Sequence, residues 1–406
     1  MASGERKCNV MLLAPDLGYG GAERSFAKLT HLLSRKYNVH AVVFNKEIKQ
    51  VYLINGTLLS LDVSSRNSIL GRLFGVIQRI LRLRALKRKL KIDVCISFLE
   101  GADYINILSK QKERTILSIR GSKRYDKNIT GFSGWIRRNI LLPGVYKNAD
   151  AVISVSNGLQ QELVEDYKIN AERAGTIHNY YNFAAMEALA AKPVDENLAR
   201  LLKDNKCLVT VGRLASEKGF QQVLHVFERL LKKDNGLKLL FIGEGELDME
   251  LKKICVEIGL SWQDYKRNVV LDFNNDVFFL GYQSDPLPIV SKSFLFLLPS
   301  LTEGFPNVLV ESMAAGVPVV AADCPHGPKE ILESKSPSSN GILLPCFFSY
   351  NDSGNQFLYD HWASAISSII SNPELREKFT TSAKQRIHDF TEEEALKKWS
   401  SWIERA

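Results

Sequence analysis

The sequence predicts an α/β protein built from two doubly wound, Rossmann-like domains. Three observations carry this. Short apolar runs that read as buried strands alternate with helical segments, and the alternation is played through twice. Glycines cluster where several of these strands give way to helices, which is where open parallel sheets take their ligands. The chain has 406 residues, room for two such domains.

In the first half, Cys8 to Ala14 reads as a buried strand. The loop Pro15 to Gly21 follows, then a helix from about Ala22 to Arg35. Gly20 and Gly21 let backbone approach a ligand closely at this turn. Val39 to Phe44 is a second strand, and Ile48 to Val63 reads as strand and turn. Leu70 to Lys91 is a basic helix. Its apolar positions Leu73, Ile77, Ile80, Leu81 and Leu83 are interleaved with Arg72, Arg79, Arg82, Arg84, Lys87, Arg88 and Lys89. Asp93 to Phe98, Arg114 to Ile119, Ala151 to Val155 and Ala174 to His178 complete the strands. Gly134 to Lys147 carries Trp135, Arg137 and Arg138 beside Ile136, Ile140, Leu141 and Leu142, a second candidate interfacial patch.

In the second half, Lys206 to Val211 leads into G-R-L-A-S-E-K-G, followed by a helix over Phe220 to Lys232. Leu237 to Ile242 ends in G-E-G-E, and Asp276 to Leu280 is a further strand. Phe294 to Leu298 precedes P-S-L-T-E-G-F-P-N, a helix to about Ala315, and a strand over Val317 to Ala321. Gly316 caps that helix and Pro318 prevents its continuation. Polar loops are read at Ser334 to Asn340 and Phe347 to Asn355. A capping box, Thr391 with Glu394, opens a last helix carrying Trp399 and Trp402.

Composition narrows the function. Hydrophobic residues make up 45% and charged residues 24%, ordinary for a globular protein. Six scattered cysteines without C-x-x-C read as free thiols in a reducing compartment, and the seven histidines show no ligand spacing. The first apolar run is too short for a signal peptide, and no run approaches the ~18 residues of a spanning helix. The net charge of +8 is uneven: residues 1–190 carry 29 Lys and Arg against 16 Asp and Glu, or +13, leaving −5 for the rest. A basic half calls for an anionic partner, lipid headgroups or nucleic acid. The density of one charge sign on the Leu70–Lys91 helix favours a membrane surface. No nucleic-acid recognition motif is present, and a nucleic-acid-binding role would leave the chemistry-bearing residues of the second half unexplained.

Those residues are Arg213, Lys218, Glu303 and Glu311. Arg213 and Lys218 flank a strand-to-helix turn, where a bidentate guanidinium and a compact ammonium suit a diphosphate. Glu303 lies in the loop after a buried strand, and Glu311 about two turns along the following helix. Backbone N–H groups at that helix start can hold phosphate, while the glutamates accept from sugar hydroxyls.

The stretch Pro299–Leu332 resembles the E-x7-E motif of retaining GT-B glycosyltransferases in glycosyltransferase family 4, and D-C-P-H-G-P-K-E-I-L resembles its bacterial surface-glycan branch. The resemblance implies two domains facing a cleft: residues 1–185 binding acceptor, 186–384 binding nucleotide-sugar, and a helix over 385–406 packing back on the first. It implies that Glu303, Arg213 and Lys218 are catalytic, and that Gly20, Gly21, Gly304, Phe305, Pro306, Asn307 and Glu311 contact the donor. Arg120 stands where many members carry a histidine. It stays protonated, so it is read as an acceptor or phosphate contact rather than a base. No Asp-x-Asp occurs, so no metal and no cofactor is expected. The implied reaction moves a hexose or N-acetylhexosamine, UDP-linked before GDP-linked, to a glycan on a lipid diphosphate at the cytoplasmic face of the cell membrane. A soluble acceptor is the alternative, an epimerase a weaker one.

Overall fold

The computed structural model describes residues 6–18, 20–46, 52–63, 68–126, 131–265, 270–333, 340–347 and 352–405. Parts of the strand and turn expected at Ile48–Val63, and of the loops expected at Ser334–Asn340 and Phe347–Asn355, lie outside these. The chain forms two compact units: Met1–Tyr180 with Glu392–Ala406, and Tyr181–Thr391.

Unit 1 runs β1 (Asn9–Ala14), α1 (Gly21–Leu33), β2 (Asn38–Val43), β3 (Leu58–Ser60), α2 (Ile69–Lys89), β4 (Val94–Phe98), α3 (Glu100–Leu108), β5 (Arg114–Ile119), α4 (Gly131–Ile136), a π-helical turn (Arg137–Leu141), α5 (Leu142–Lys147), β6 (Ala151–Ser154), α6 (Asn157–Tyr167) and β7 (Ala174–Thr176). The sheet order is β3-β2-β1-β4-β5-β6-β7, all parallel among the described pairings. The order reverses between β1 and β4, the switch point of a doubly wound sheet.

Strand alternation divides the core. Val10, Leu12, Val43 and Ile96 face Phe26, Leu29 and Leu33 of α1. Met11, Leu13, Val42 and Cys95 face Leu83 of α2 and Ala102 and Ile105 of α3. The helical segment between β5 and β6 is interrupted. Pro143 cannot donate a backbone hydrogen bond. The turn before it widens, and the Leu142 N–H reaches five residues back to the Arg137 carbonyl.

Unit 2 runs α7 (Phe183–Ala190), α8 (Glu196–Asp204), β8 (Lys206–Val211), α9 (Phe220–Leu231), β9 (Leu237–Ile242), α10 (Asp248–Glu257), β10 (Trp262–Asp264), β11 (Val277–Phe279), α11 (Leu287–Val290), β12 (Leu295–Leu298), α12 (Asn307–Ala314), β13 (Val319–Asp323), α13 (Pro328–Leu332), β14 (Ile342–Pro345), α14 (Asp352–Ser371) and α15 (Pro373–Arg386). Its sheet order is β10-β11-β9-β8-β12-β13-β14, again parallel. The strand expected from Val317 begins at Val319 instead. Gly316, at φ +76°, lets its N–H reach Met313 O at 3.1 Å and lets the Val317 N–H reach Ser312 O at 3.1 Å. Val317 is thus used in closing the helix.

The last helix, α16 (Glu392–Ile403), belongs to unit 1. Ala395, Trp399 and Ile403 are buried on the face that α1 covers. The Tyr37 hydroxyl lies 2.8 Å from Ser400 Oγ and 2.5 Å from Glu404 Oε1. Trp402 lies on β7 so closely that a Cβ at Gly175 would be 2.4 Å from its ring.

The basic helix differs from its sequence reading. Lys87 is not on the surface: its side chain is 2% exposed and its ammonium is 2.7 Å from Glu113 Oε1. The same ammonium donates to Asn106 Oδ1 at 3.0 Å and Ser109 Oγ at 2.9 Å. Arg82 donates to Leu61 O at 2.5 Å and Asp62 O at 2.8 Å, Arg84 to Leu108 O at 2.8 Å, and Arg88 to Gln111 at 2.6 Å. These cations fasten α2 to its neighbours.

One buried acid makes the stability of this unit pH-dependent. Asp103, 1% exposed, accepts from Ser97 Oγ at 2.6 Å. Burial pushes its carboxyl up to about 8, against the pull of the Ser97 hydrogen bond and Lys123. In the unfolded chain the group loses its proton near the ordinary ~3.9. Between these values the folded state binds the extra proton, so stability falls as pH rises. Asp103→Asn should flatten this slope in urea unfolding followed from about pH 5 to about pH 8; an unchanged slope would contradict the assignment.

Candidate functional site

The site residues of unit 2 lie in loops at the carboxyl ends of β8, β9, β12 and β13, which glycines bring into backbone contact. Gly219, at φ +66°, takes a conformation that costs other residues, and a Cβ there would stand 2.1 Å from the Pro299 carbonyl. Gly243 at the end of β9 would put a Cβ 1.9 Å from the Gly212 carbonyl. Gly327, at φ +86°, would put one 2.6 Å from Pro306 Cδ and 3.0 Å from the Gly304 carbonyl. Larger residues at these points would force the loops apart.

Within this cluster Lys218 and Glu303 meet. Lys218 Nζ is 2.6 Å from Glu303 Oε1, with the side chains 23% and 10% exposed. Ser300 Oγ donates to the same oxygen at 2.7 Å, and the Glu303 N–H donates to Pro325 O at 3.3 Å. Among the described residues Oε2 accepts no hydrogen bond. Arg213 is more open, 65% exposed, and its guanidinium lies 2.6 Å from Glu217 Oε1. Burial opposes ionisation of Glu217, but its backbone hydrogen bond, Arg213 and Lys218 outweigh burial and hold its carboxyl below the ordinary value. The Leu301 N–H donates to Glu217 O at 2.8 Å, tying the Arg213–Lys218 turn to the Glu303 loop. The arrangement is an anionic oxygen steadied by an ammonium and a hydroxyl, with a guanidinium on the same turn as the ammonium. It can offer cations to a phosphate and a carboxylate to polarised hydroxyls.

Pro306 is the N-cap of α12, with Gly304 and Pro306 buried. The Phe305 ring, 5% exposed, packs edge-on against Phe390 at 5.4 Å, so this residue serves as a wedge under the loop. The Asn307 side-chain oxygen accepts from the Tyr181 hydroxyl at 2.6 Å. Glu311, 8% exposed, lies on the buried part of α12. Sequence reasoning passed over three participants: Ser300, which shares Glu303 Oε1; Glu217, which holds Arg213; and Gly327. Gly327 was visible in C-P-H-G-P, but nothing in the sequence marked Ser300 or Glu217.

Gly20, Gly21 and Arg120 belong to unit 1, at the carboxyl ends of β1 and β5. Gly20 is extended, and the Glu23 carboxylate folds over it so that a Cβ would stand 2.0 Å from Glu23 Oε2. Burial, first, and the charge of Asp16 raise the Glu23 carboxyl above its ordinary value, against its own backbone hydrogen bond. Arg120 hydrogen-bonds the Asn179 side chain and lies over the Phe98 ring at 5.7 Å. All six cysteines are free. Burial pushes the Cys346 thiol up to about 11, and raises Cys324 as well, with Glu303 adding to the latter. Among the described residues no group of His, Cys, Asp and Glu could hold a metal ion, and no helix is long and apolar enough to cross a membrane.

Comparison with known proteins converges on one class. Residues 19–184 match the family model described as Glycosyltransferase Family 4, and residues 194–386 the one described as Glycosyl transferases group 1. The chain is 28% identical to a Campylobacter jejuni N-acetylgalactosamine-N,N'-diacetylbacillosaminyl-diphospho-undecaprenol 4-alpha-N-acetylgalactosaminyltransferase, over 92% of this chain and 93% of that one. It is 23% identical to an uncharacterized glycosyltransferase of Methanocaldococcus jannaschii, over 86% and 87% of the two chains. Among solved structures, TarM superposes with a TM-score of 0.74 at 14% identity, covering 99% of both chains. Anabaena HepE in complex with UDP and glucose superposes with a TM-score of 0.72 at 17% identity, covering 98% and 99%. With two parallel-sheet, Rossmann-like units and these matches along both, the chain is a glycosyltransferase of GT-B architecture.

Proposed function

We propose that the protein transfers a hexose or N-acetylhexosamine, with retention, from a nucleotide diphosphate-sugar to a glycan carried on a membrane lipid diphosphate. The single observation that carries this is the Lys218–Glu303 pair at 2.6 Å, on the same loop cluster as Arg213. The donor is UDP-linked and the enzyme works at the cytoplasmic face of the cell membrane. Support for the donor comes from the solved relative that binds UDP and glucose, and for the acceptor from the Campylobacter relative named for an undecaprenol diphosphate glycan.

In this reading Arg213 and Lys218 hold the diphosphate and stabilise the charge that grows as the C1–O bond to it breaks. The acceptor hydroxyl forms the new C1–O bond, and its proton leaves with the diphosphate. Glu303, released by Lys218 when phosphate arrives, holds donor-sugar hydroxyls and balances positive charge developing on the ring. Glu311, Gly304 to Asn307, and Gly20 and Gly21 line the donor, while Arg120 contacts acceptor or phosphate.

The test is donor hydrolysis by purified protein across nucleotide sugars, with the anomer of the transferred sugar read by NMR. Turnover of a UDP-sugar and an α-product are expected. Turnover of GDP-mannose alone would overturn the donor assignment, and turnover of none would overturn the site. Because two cations stand where a divalent metal would otherwise neutralise the diphosphate, activity should be unchanged in EDTA. Loss on chelation, restored by magnesium or manganese, would contradict the charge assignment to Arg213 and Lys218.

A further inference from the structure

In the proposed reaction Lys218 turns to the diphosphate, and Glu303 then loses one of its two partners. The partner that stays is Ser300, whose Oγ donates to Glu303 Oε1 at 2.7 Å. Lys218 Nζ reaches the same oxygen at 2.6 Å, and among the described residues Oε2 accepts no hydrogen bond. A glutamate side chain has several rotatable bonds, and ordering them costs free energy that a contact has to offset. A hydrogen bond to a carboxylate is roughly twice as strong as one between neutral groups, so a single fixed hydroxyl can hold its orientation.

Ser300 is placed to stay. It follows β12 closely and is 1% exposed. The backbone on both sides of it is anchored to other loops. Before it, the Pro299 carbonyl lies against Gly219, where even a Cβ would stand 2.1 Å away. After it, the Leu301 N–H donates to Glu217 O at 2.8 Å. Its own carbonyl lies 3.7 Å from Cys346 Sγ, a weak thiol donor. Lys218, by contrast, reaches Glu303 from the turn after β8, at the end of a long and flexible side chain. An ammonium on such a stem can change partners, whereas a hydroxyl on a short stem from pinned backbone keeps its place.

We propose that Ser300 is a positioning residue for the transfer: it holds Glu303 by Oε1, with Oε2 presented to the donor sugar, after Lys218 has moved to the diphosphate. This role rests on the sugar-transfer reading of the site and adds a division of labour to it. Lys218 steadies Glu303 while the site is empty, and Ser300 steadies it once the donor is bound. Positive charge grows on the sugar ring only as its bond to the diphosphate breaks. A carboxylate held in place therefore contributes more in the transition state than in the ground state. Loss of the Ser300 hydroxyl should be felt in kcat, and little in the binding of the nucleotide, whose phosphates are held by Arg213 and Lys218.

The experiment measures kcat and KM of the full chain for hydrolysis of UDP-hexoses and UDP-N-acetylhexosamines, with UDP affinity by calorimetry and thermal unfolding of every variant. Ser300→Ala should lower kcat at least about tenfold, as a lost aid to transition-state charge does. Its KM and its UDP dissociation constant should stay within about threefold of wild type, the pattern of an interaction made in the transition state alone. Ser300→Cys has nearly the same shape but only a weak S–H donor, and should behave like the alanine variant. On a Glu303→Ala background, Ser300→Ala should change kcat by less than about twofold, because the group it positions is already gone. Near-wild-type kcat in Ser300→Ala or in Ser300→Cys, a loss confined to KM, or an equal loss on both backgrounds overturns the role. Absence of turnover in the wild type sinks the sugar-transfer reading and this role with it, whereas wild-type turnover that Ser300→Ala leaves unaltered sinks the role alone.

Discussion

Glu303→Ala is expected to lower turnover at least about a hundredfold, the effect of removing one preorganised contact to a transition state. The reason lies in how much of the surrounding structure serves this one carboxylate. It is 10% exposed, Lys218 and Ser300 converge on Oε1, and three glycines allow the loops around it to touch. Lys218→Ala should cost a similar factor, since it removes both the phosphate cation and the group that steadies Glu303. Because the two residues share one interaction, the double variant should lose less than the product of the single losses. The measurement is kcat/KM for all four proteins, with thermal unfolding to exclude misfolding. Near-wild-type rates in both single variants would remove these residues from the site.

The largest expected effect on stability is at Lys87. Lys87→Met should destabilise the protein by about 3–5 kcal/mol, because it strands the Glu113 carboxylate in the interior. Lys87 and Glu113 side chains are 2% and 3% exposed. Replacing both, as Lys87→Met with Glu113→Leu, should recover most of the loss, since well-packed apolar pairs often match buried ion pairs. Urea unfolding of the three proteins decides it. A single-variant loss below about 1 kcal/mol would mean that the pair is hydrated, as a surface pair would be.

Most of the fold was legible because a parallel sheet buried on both faces leaves continuous apolar runs. Residues 10–14 and Leu295–Leu298 are of this kind, every residue apolar and buried. Trp262–Asp264 was missed because it is a three-residue edge strand of half-buried side chains. Glu303 and Lys218 could be found because their loops carry fixed spacing from strand ends. Ser300 and Glu217 could not, since their parts depend on which loop folds against which. Periodicity distinguishes apolar from polar faces, yet it cannot say that one cation of seven points inward. Lys87 shares its helical face with Leu83, and only the presence of Glu113, twenty-six residues on, turns that position into an ion pair.

The return of α16 to unit 1 has a consequence for how the protein is made. Trp399 and Ile403 fill a seat beside α1 and β1, yet they are translated only after the whole of Tyr181–Thr391. At ~5–20 residues per second, the ribosome leaves that seat open for on the order of tens of seconds after unit 1's other residues emerge. Unit 2 is continuous in sequence and can finish first, although unit 1 is begun first. Nascent unit 1 therefore waits with an apolar groove uncovered, a natural place for a chaperone to hold it until the last helix arrives.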